Sequence, residues 1–439
     1  VFSQVNSNSQ MTKKENSGPK KEVQTLKGMR DLQGDDFFAL QGFYDKAQEI
    51  ALYYGFKPIE TPILESEEIF TTSIGEGTDI IDKEMYAFRT KSGDKIAMRP
   101  EQTASLMRAY IEHGMQSEPQ PIMLYHYGPV FRHDNPQAGR YRQFYQFDMD
   151  ILGSEKSIND ALVIKSAWAI LEDSGATDLM VDINSIGDKE CRAHYIRELT
   201  NYYKKHINDL GPIDKERLKN NPMRILDSKD EKTIALNENA PDAVTYLCSA
   251  CKKHFKEVLE YLEGMNIPYR INKNLVRGLS YYTRTVFEII TIVDEKPLTV
   301  CGGGRYDYLG RELGSKKDIP AVGASFGVDR LLIQPWYKKH APRFLKKPRM
   351  YFIQLGMDAK LKSLNVIDIL RKCHMPISQS LSKDSLSSQL GYAEKLGVPY
   401  ALIFGQKEAM ENCVIIRDMK TRSQKTVKLK DLALYIKEL

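Results

Sequence analysis

Between residues 36 and 54 apolar side chains return every three or four positions, at Phe37, Leu40, Phe43, Tyr44, Ala47, Ile50 and Ala51. That spacing predicts a helix with one buried face, closed by Gly55. Residues 58–64 read as extended, and Pro58 and Pro62 confine them to a sheet edge. A short strand over 96–98 and a helix over 103–112 follow. An apolar run over 123–130 leads through a turn-rich loop at Asn135-Pro136-Gln137-Ala138-Gly139 into a return segment carrying Phe144, Phe147 and Ile151. The pattern is a pair of antiparallel strands joined by a long polar loop. Residues 161–174 read as a helix and 179–183 as a strand. From Asp188 to about residue 270 the pattern is helical and charged, broken near Gly211-Pro212 and Asn239-Ala240-Pro241, as expected of a helical insertion. Strand signals resume over 286–293 and 298–301. A basic stretch with Pro342 and Pro348 precedes a compact α/β alternation: strands over 350–355, 400–404, 413–416 and 425–429, with helices over 358–371, 387–396 and from Leu432. The chain shows no internal repeat.

The bulk numbers narrow the class without choosing a function. A chain of 439 residues is too long for one ordinary core, and 42% apolar with 28% charged residues fits a globular protein of two or three domains. The net charge of +5 permits a polyanionic partner without requiring one. Six scattered cysteines fit a reducing compartment. No apolar run is long enough to span a bilayer, so no membrane partner is expected and the cytoplasm is the expected location. Residues 1–22, rich in Ser, Asn, Gln and Lys, are expected to be a disordered tail rather than a secretory signal.

Candidate chemistry concentrates in FRHDNPQAGRYRQFYQFDMDILG, residues 131–153. Arg132, Arg140 and Arg142 place permanent positive charge on one hairpin, and guanidinium forks match phosphate oxygens in pairs. Gln146, Asp148 and Asp150 alternate on the return strand and therefore share a face. Such a face can hold a cationic, donor-rich substrate beside a nucleotide. His133 is read as positional. Gly302-Gly303-Gly304 suits close backbone approach, and no Gly-Lys-Ser or Gly-Lys-Thr accompanies it at the spacing of a Walker loop. Cys248-x-x-Cys251-x-x-His254 has half the spacing of a zinc site, but a second cysteine pair is missing and Cys191 is the one other cysteine nearby, so no metal site is assigned.

The 131–153 stretch resembles motif 2 of the class II aminoacyl-tRNA synthetases in the form found in the histidyl-tRNA synthetase family. Five further blocks resemble that family in its order: Gly28-Met29-Arg30-Asp31, Arg99-Pro100-Glu101-Gln102-Thr103, Leu275 through Tyr282 (LVRGLSYY), Gly302 through Asp307 (GGGRYD) and Ala321 through Arg330 (AVGASFGVDR). The resemblance implies a mixed α/β (α+β) fold: a class II antiparallel-sheet catalytic domain over 23–340 with the helical insertion at about 188–270, then an α/β anticodon-binding domain over 348–439. It implies ATP-dependent ligation of L-histidine to its cognate tRNA through a histidyl-adenylate, releasing AMP and diphosphate, with Mg2+ accompanying ATP and a homodimer formed through the first helix and the 58–64 segment. By the same resemblance Arg132 and Arg277 act catalytically at the α-phosphate, Arg277 where other class II enzymes use a metal, and Arg330 holds the far end of ATP. Glu101, Thr103 and Gln146 receive the histidine amine, Asp150 and Tyr282 its ring with Tyr281 alongside, and Gln137 meets the tRNA acceptor end. Ser280 stands where the family's signature usually has Asp, and Asp150 where many bacterial relatives have Glu. The alternative from another class is a non-catalytic paralogue such as the regulatory subunit of ATP phosphoribosyltransferase, which should lack the Arg277 block and the C-terminal domain. Threonyl or prolyl enzymes lack the 275–282 block.

Overall fold

The computed structural model describes residues 23–75, 78–382 and 384–439. The expected tail, 1–22, lies outside the described residues. The fold divides into a first unit ending at Pro342 and a second, Arg343–Leu439.

The first helix is Gly34–Tyr53, with Leu40, Phe43, Tyr44, Ala47 and Ala51 buried. It closes as the sequence leads one to expect: Gly55 takes a φ of +93°, and the Gly55 and Phe56 amides donate back to the Leu52 and Ala51 carbonyls. A residue free to adopt the left-handed conformation satisfies the last orphan carbonyls in this way.

The strands of this unit, in chain order, are β1 (Lys57–Pro58), β2 (Leu64–Ser66), β3 (Ala87–Arg89), β4 (Lys95–Met98), β5 (Ile122–Phe131), β6 (Gln143–Leu152), β7 (Met180–Ser185), β8 (Tyr269–Ile271), β9 (Thr283–Val293), β10 (Lys296–Arg305) and β11 (Ala321–Gly327). Eight form one sheet in the order β1-β5-β6-β11-β10-β9-β7-β8, and β2-β4-β3 form a small one. In the large sheet β1 with β5 and β7 with β8 are parallel, and every other pair is antiparallel. The proline-bearing β1 is an edge strand, because a proline has no amide hydrogen for a second neighbour.

Both faces of this sheet are covered. On β6, Phe147, Met149 and Ile151 join one core with Phe43, Ala167 and Val258 from the helices Gly34–Tyr53, Ser157–Asp173 and Ser249–Gly264. The opposite core gathers Leu106 and Tyr110 of the helix Thr103–Glu112 with Tyr195 of the insertion and Tyr282. Phe43 is fully buried, and truncating such a ring costs roughly 3–5 kcal/mol. Gln146, Asp148 and Asp150 share the second face, where Asp148 and Asp150 are buried.

The insertion is helical, from Lys189–Lys205 to Ser249–Gly264, with shorter helices Pro212–Asn220 and Glu231–Asn237 between. Several features differ from the sequence expectation. The short β8 carries two exposed residues out of three and no apolar run. Asp294 and Glu295, with φ of 48° and 62°, turn β9 directly into β10 without the glycine or asparagine that marks such hairpins. Finally, β10 runs through all three glycines to Arg305 instead of stopping at Cys301.

The second unit is a five-stranded sheet. Its strands are β12 (Met350–Gln354), β13 (Ile377–Gln379), β14 (Tyr400–Phe404), β15 (Cys413–Asp418) and β16 (Gln424–Lys428), in the order β13-β12-β14-β15-β16. The helices Met357–Lys372 and Leu429–Glu438 cover one face, with Phe352, Leu402 and Ile436 in the core. Leu386–Leu396 supplies Ala393 to the other face. Leu429–Glu438 begins three residues earlier than its apolar pattern suggests.

Candidate active site

A polar cleft of about 710 Å³ opens on the second face of the large sheet. Its floor is β6, β10 and β11; its walls are the β5–β6 hairpin, the segment entering the Thr103–Glu112 helix and the 272–282 loop. Nine of the ten residues expected to act are placed around it, eight in its lining and Asp150 behind the floor.

Arg132 follows the last residue of β5. Its Nε donates to the Pro100 carbonyl at 2.8 Å, and its guanidinium lies 5.4 Å from the Phe144 ring centre. Burial lowers its pKa, while Glu84 and Glu101 pull the other way; a guanidinium keeps its proton regardless. Arg277 enters from the 272–282 loop. Its Nη1 donates to Glu288 of β9, whose other oxygen accepts from the Thr299 hydroxyl at 2.8 Å. The guanidinium lies flat along β10: a Cβ on Gly302 would stand 2.6 Å from Nη1. The glycine run therefore makes room first for a protein side chain. Arg330 donates to the Thr299 carbonyl at 3.2 Å and borders the same cleft. Beside it the hairpin loop turns at Gly139, with φ +70°, where a Cβ would lie 2.8 Å from Ile333. Three fixed cations thus line one cavity.

The acids sit among them. Glu101 accepts from the Thr103 amide at 2.8 Å and the Ala104 amide at 2.9 Å, so it caps the helix Thr103–Glu112. The Tyr281 hydroxyl donates to it at 3.3 Å. Burial raises its pKa against those bonds. Capping and facing a cation are compatible roles, since both use the ionised carboxylate. Asp148 also lines the cleft, taking a hydrogen bond from Gln102 at 3.1 Å. Burial pushes its carboxyl up to about 7, although His126 and Ser325 oppose this. Gln146 donates to the Ser325 hydroxyl at 2.9 Å, while its Oε1 is buried with no partner among the described residues. Tyr281 and Tyr282 complete the wall, their ring centres 4.8 Å apart.

Asp150 lies one layer deeper, 2% exposed. One oxygen accepts from the Tyr306 hydroxyl at 2.5 Å and the other faces His126 Nε2 at 3.1 Å. Burial opposes a charged imidazole at His126, but the Asp150 hydrogen bond and the charges of Asp148 and Asp150 outweigh it and raise its pKa. Gln137 is at the exposed tip of the hairpin, bonded through its backbone to Arg140. His133 is set edge-on against Tyr86, 5.7 Å between ring centres. Ser280 is held by its backbone: its amide donates to Ile74 and its carbonyl accepts from Arg192 at 3.0 Å. A Cβ on Gly75 would come 2.7 Å from the Ser280 hydroxyl.

Two residues with no role assigned from sequence matter here, Glu288 and Tyr306, and Asp148, expected on the substrate-facing side of the return strand, lines the cleft. Glu288 left a signal, since a lone carboxylate interrupts the apolar run Val286-Phe287-Glu288-Ile289. Tyr306 left none beyond its place after the glycines.

The profile of a family described as "Histidyl-tRNA synthetase" matches residues 28–331, and one described as "Anticodon binding domain" matches 351–439. A histidine–tRNA ligase of Dehalococcoides mccartyi is 39% identical over 415 residues, covering 94% of this chain and 99% of the relative. One of Aquifex aeolicus is 40% identical over 410 residues, covering 93% and 100%. The apo crystal structure of Staphylococcus aureus histidyl-tRNA synthetase superposes with a TM-score of 0.76 at 29% identity, covering 94% of this chain and 99% of that one.

Proposed function

The chain belongs to the histidyl-tRNA synthetase family, and from that premise we infer how its cleft ligates L-histidine to histidine tRNA with ATP, releasing AMP and diphosphate. The observation that carries the reading is the convergence of Arg132, Arg277 and Arg330 with Glu101 and Gln146 on one cavity. The histidine carboxylate attacks the α-phosphorus of ATP and diphosphate leaves. Negative charge grows on the α-phosphoryl oxygens, and Arg132 and Arg277, each braced by a second group, meet it without reorganising. Arg330, toward the hairpin loop, receives the far end of ATP. In the second step the terminal ribose hydroxyl of tRNA attacks the acyl carbon and AMP departs.

The histidine ammonium is held by Glu101, with Thr103 and Gln146 beside it; the unpartnered Gln146 Oε1 suits an N–H donor. Asp150 and Tyr282 recognise the imidazole, with Tyr281 alongside. For Asp150 we add Tyr306, because its hydroxyl is bonded to that carboxylate and its ring centre stands 5.8 Å from that of Tyr281. Mg2+ would arrive with ATP, and Asp227 is a carboxylate on the cleft wall that would suit it, Glu288 being committed to Arg277 and Thr299. That ion supplies charge neutralisation on the departing diphosphate. The unit from Arg343 onward carries the anticodon contacts. A homodimer is supported by exposed apolar residues on the first helix and the segment after it: Leu52, Tyr53, Ile63 and Leu64. Among the described residues no helix is long and apolar enough to cross a membrane, and we assign the activity to the cytoplasm. The regulatory-subunit reading has no support from the relatives above, which are ligases over nearly their whole length.

The test is charging of a histidine tRNA transcript with radiolabelled histidine and ATP. The full chain is expected to charge it. Gln137→Ala is expected to slow charging while leaving ATP–pyrophosphate exchange unchanged, since the hairpin tip is the proposed contact with the acceptor end. Equal losses in both assays would make the loop structural, and no charging at all would remove the ligase reading.

A pH profile tests Asp148 separately. Its carboxyl titrates near 7, protonated below and ionised above, and an ammonium prefers the ionised form. The kcat/KM for histidine in exchange is therefore expected to rise through about pH 7. The substrate imidazole also titrates in this range, so the comparison is with Asp148→Asn. That variant should lose the protein's share of the rise; an unaltered profile would assign the titration elsewhere.

A further inference from the structure

The insertion holds a cluster that the ligase reaction does not use. The side-chain oxygen of Asp188 and the sulfurs of Cys191, Cys248 and Cys251 all lie within 4.8 Å of one another. We propose that these four residues bind one zinc ion that staples the first helix of the insertion to its last.

The two halves are built alike. Asp188 is the N-cap of the helix Lys189–Lys205 and Cys191 is in its first turn; Cys248 is the N-cap of Ser249–Gly264 and Cys251 is in its first turn. Each helix start therefore presents two ligands at a spacing of three, Asp-x-x-Cys and Cys-x-x-Cys. The sequence supplied the second pair alone, because Asp188 does not look like a cysteine partner and lies 60 residues away from Cys248. His254, which shares the Cys248 motif, is not part of the cluster: its Nε2 faces Asp160 at 3.3 Å.

The distances suit a tetrahedral ion. Ligands about 2.3 Å from such an ion stand about 3.8 Å from each other. The Asp188 Oδ2 atom is 3.7 Å from the Cys248 sulfur and 3.2 Å from the Cys251 sulfur. Its Oδ1 is held by the Cys191 amide at 2.9 Å, which fixes the carboxylate with one oxygen turned to the sulfurs. Amide hydrogens also point at sulfur: Cys248 N to the Cys191 Sγ at 3.1 Å, and Cys251 N to the Cys248 Sγ at 3.5 Å. Such bonds favour thiolate over thiol and orient metal ligands. Gly187 turns the chain into the site with φ +73°, where a Cβ would come 2.4 Å from that of Cys191. Leu247 and Val244 pack against Cys191 and Cys251, while Cys248 is exposed and leaves an entry path. Three soft thiolates disfavour magnesium and calcium, and one tetrahedral set with a carboxylate favours zinc.

The site borders the cleft through its neighbour. Arg192, next to Cys191, donates to the carbonyls of Ser280 at 3.0 Å and Tyr282 at 3.1 Å, in the loop that carries Arg277. An ion here would brace that loop as well as the insertion.

The test is metal analysis of the full chain purified under reducing conditions without chelator. About one zinc per chain is expected, falling to less than about a tenth in Cys191→Ser and Cys251→Ser, because losing one of four ligands removes most of the affinity. Cys373→Ser, in the second unit, should retain it. If the serine variants fold poorly, the wild type decides: replacement of zinc by cobalt should give the visible bands of tetrahedral Co2+ with thiolate charge transfer. Chelation should lower the melting temperature of the wild type and leave that of Cys251→Ser unchanged. Iron in place of zinc, a metal-free chain with a Cys248–Cys251 disulfide, equal zinc loss in Cys373→Ser, or a cobalt spectrum without thiolate bands would each overturn the proposal.

Discussion

Arg277→Ala is expected to lower histidine-dependent ATP–pyrophosphate exchange by about a hundredfold or more, the loss typical of removing one preorganised charge from a site where charge develops. Two effects act together. The cation that meets the α-phosphoryl oxygens is gone, and Glu288 is left without its ion pair. Its carboxylate, still held by Thr299, then faces the phosphates and repels them. The double variant Arg277→Ala/Glu288→Gln separates the effects, since it removes the repulsion and should recover part of the loss. Gly302→Ala probes the same group without deleting it. The new methyl would stand 2.6 Å from Nη1, so the guanidinium must swing away, and exchange should fall while the melting temperature stays close to wild type. Arg277 is about one fifth exposed, so its removal should cost more in rate than in stability. A variant with normal exchange would place Arg277 outside the reaction.

Exchange is expected to respond to histidine and to reject threonine and proline by roughly ten-thousand-fold. The reason lies in groups already committed to partners. Asp150 is bound by the Tyr306 hydroxyl and His126, and Tyr282 packs on Tyr281. A side chain with ring nitrogens can enter and exchange bonds with this array. One without them has no bond to offer in exchange, so its entry would break the existing Asp150 bonds and leave buried polar atoms unpaired, which costs far more than a poor apolar fit. Single-amino-acid exchange assays measure this directly. Comparable stimulation by threonine or proline would remove the proposed pocket roles of Asp150 and Tyr282.

Much of this was legible in the chain itself. The β5–β6 hairpin announced itself because arginines, a turn-rich loop and alternating polar residues coincide within 23 residues. The helix Gly34–Tyr53 followed from its spacing and Gly55. Alternation also put Gln146, Asp148 and Asp150 on one face, but it could not rank them by depth. That depends on Tyr306 arriving just after the end of β10, a contact across 156 residues. The three glycines carry no side-chain pattern, so a strand and a turn read alike there; the choice is made by neighbours such as Phe287 and Gly323. The pairing of Asp188 with Cys248 and Cys251 was hidden for a related reason: it exists once two helices, distant in sequence, start side by side.

The glycine run in β10 bears on which substitutions the chain can accept and in what order. A Cβ at Gly303 would meet the Gly323 carbonyl at 2.0 Å, and one at Gly304 the Thr285 carbonyl at 2.5 Å. Both obstacles are backbone, which no single exchange elsewhere can remove. At Gly302 the obstacle is the end of a flexible arginine, so that position could be filled after Arg277 had been lost. While the arginine serves the reaction, the lineage is barred from all three positions, for steric reasons at two and through function at the third. The ten-residue strand therefore holds its glycines for different lengths of evolutionary time, with Gly302 released first in any descendant that has given up catalysis.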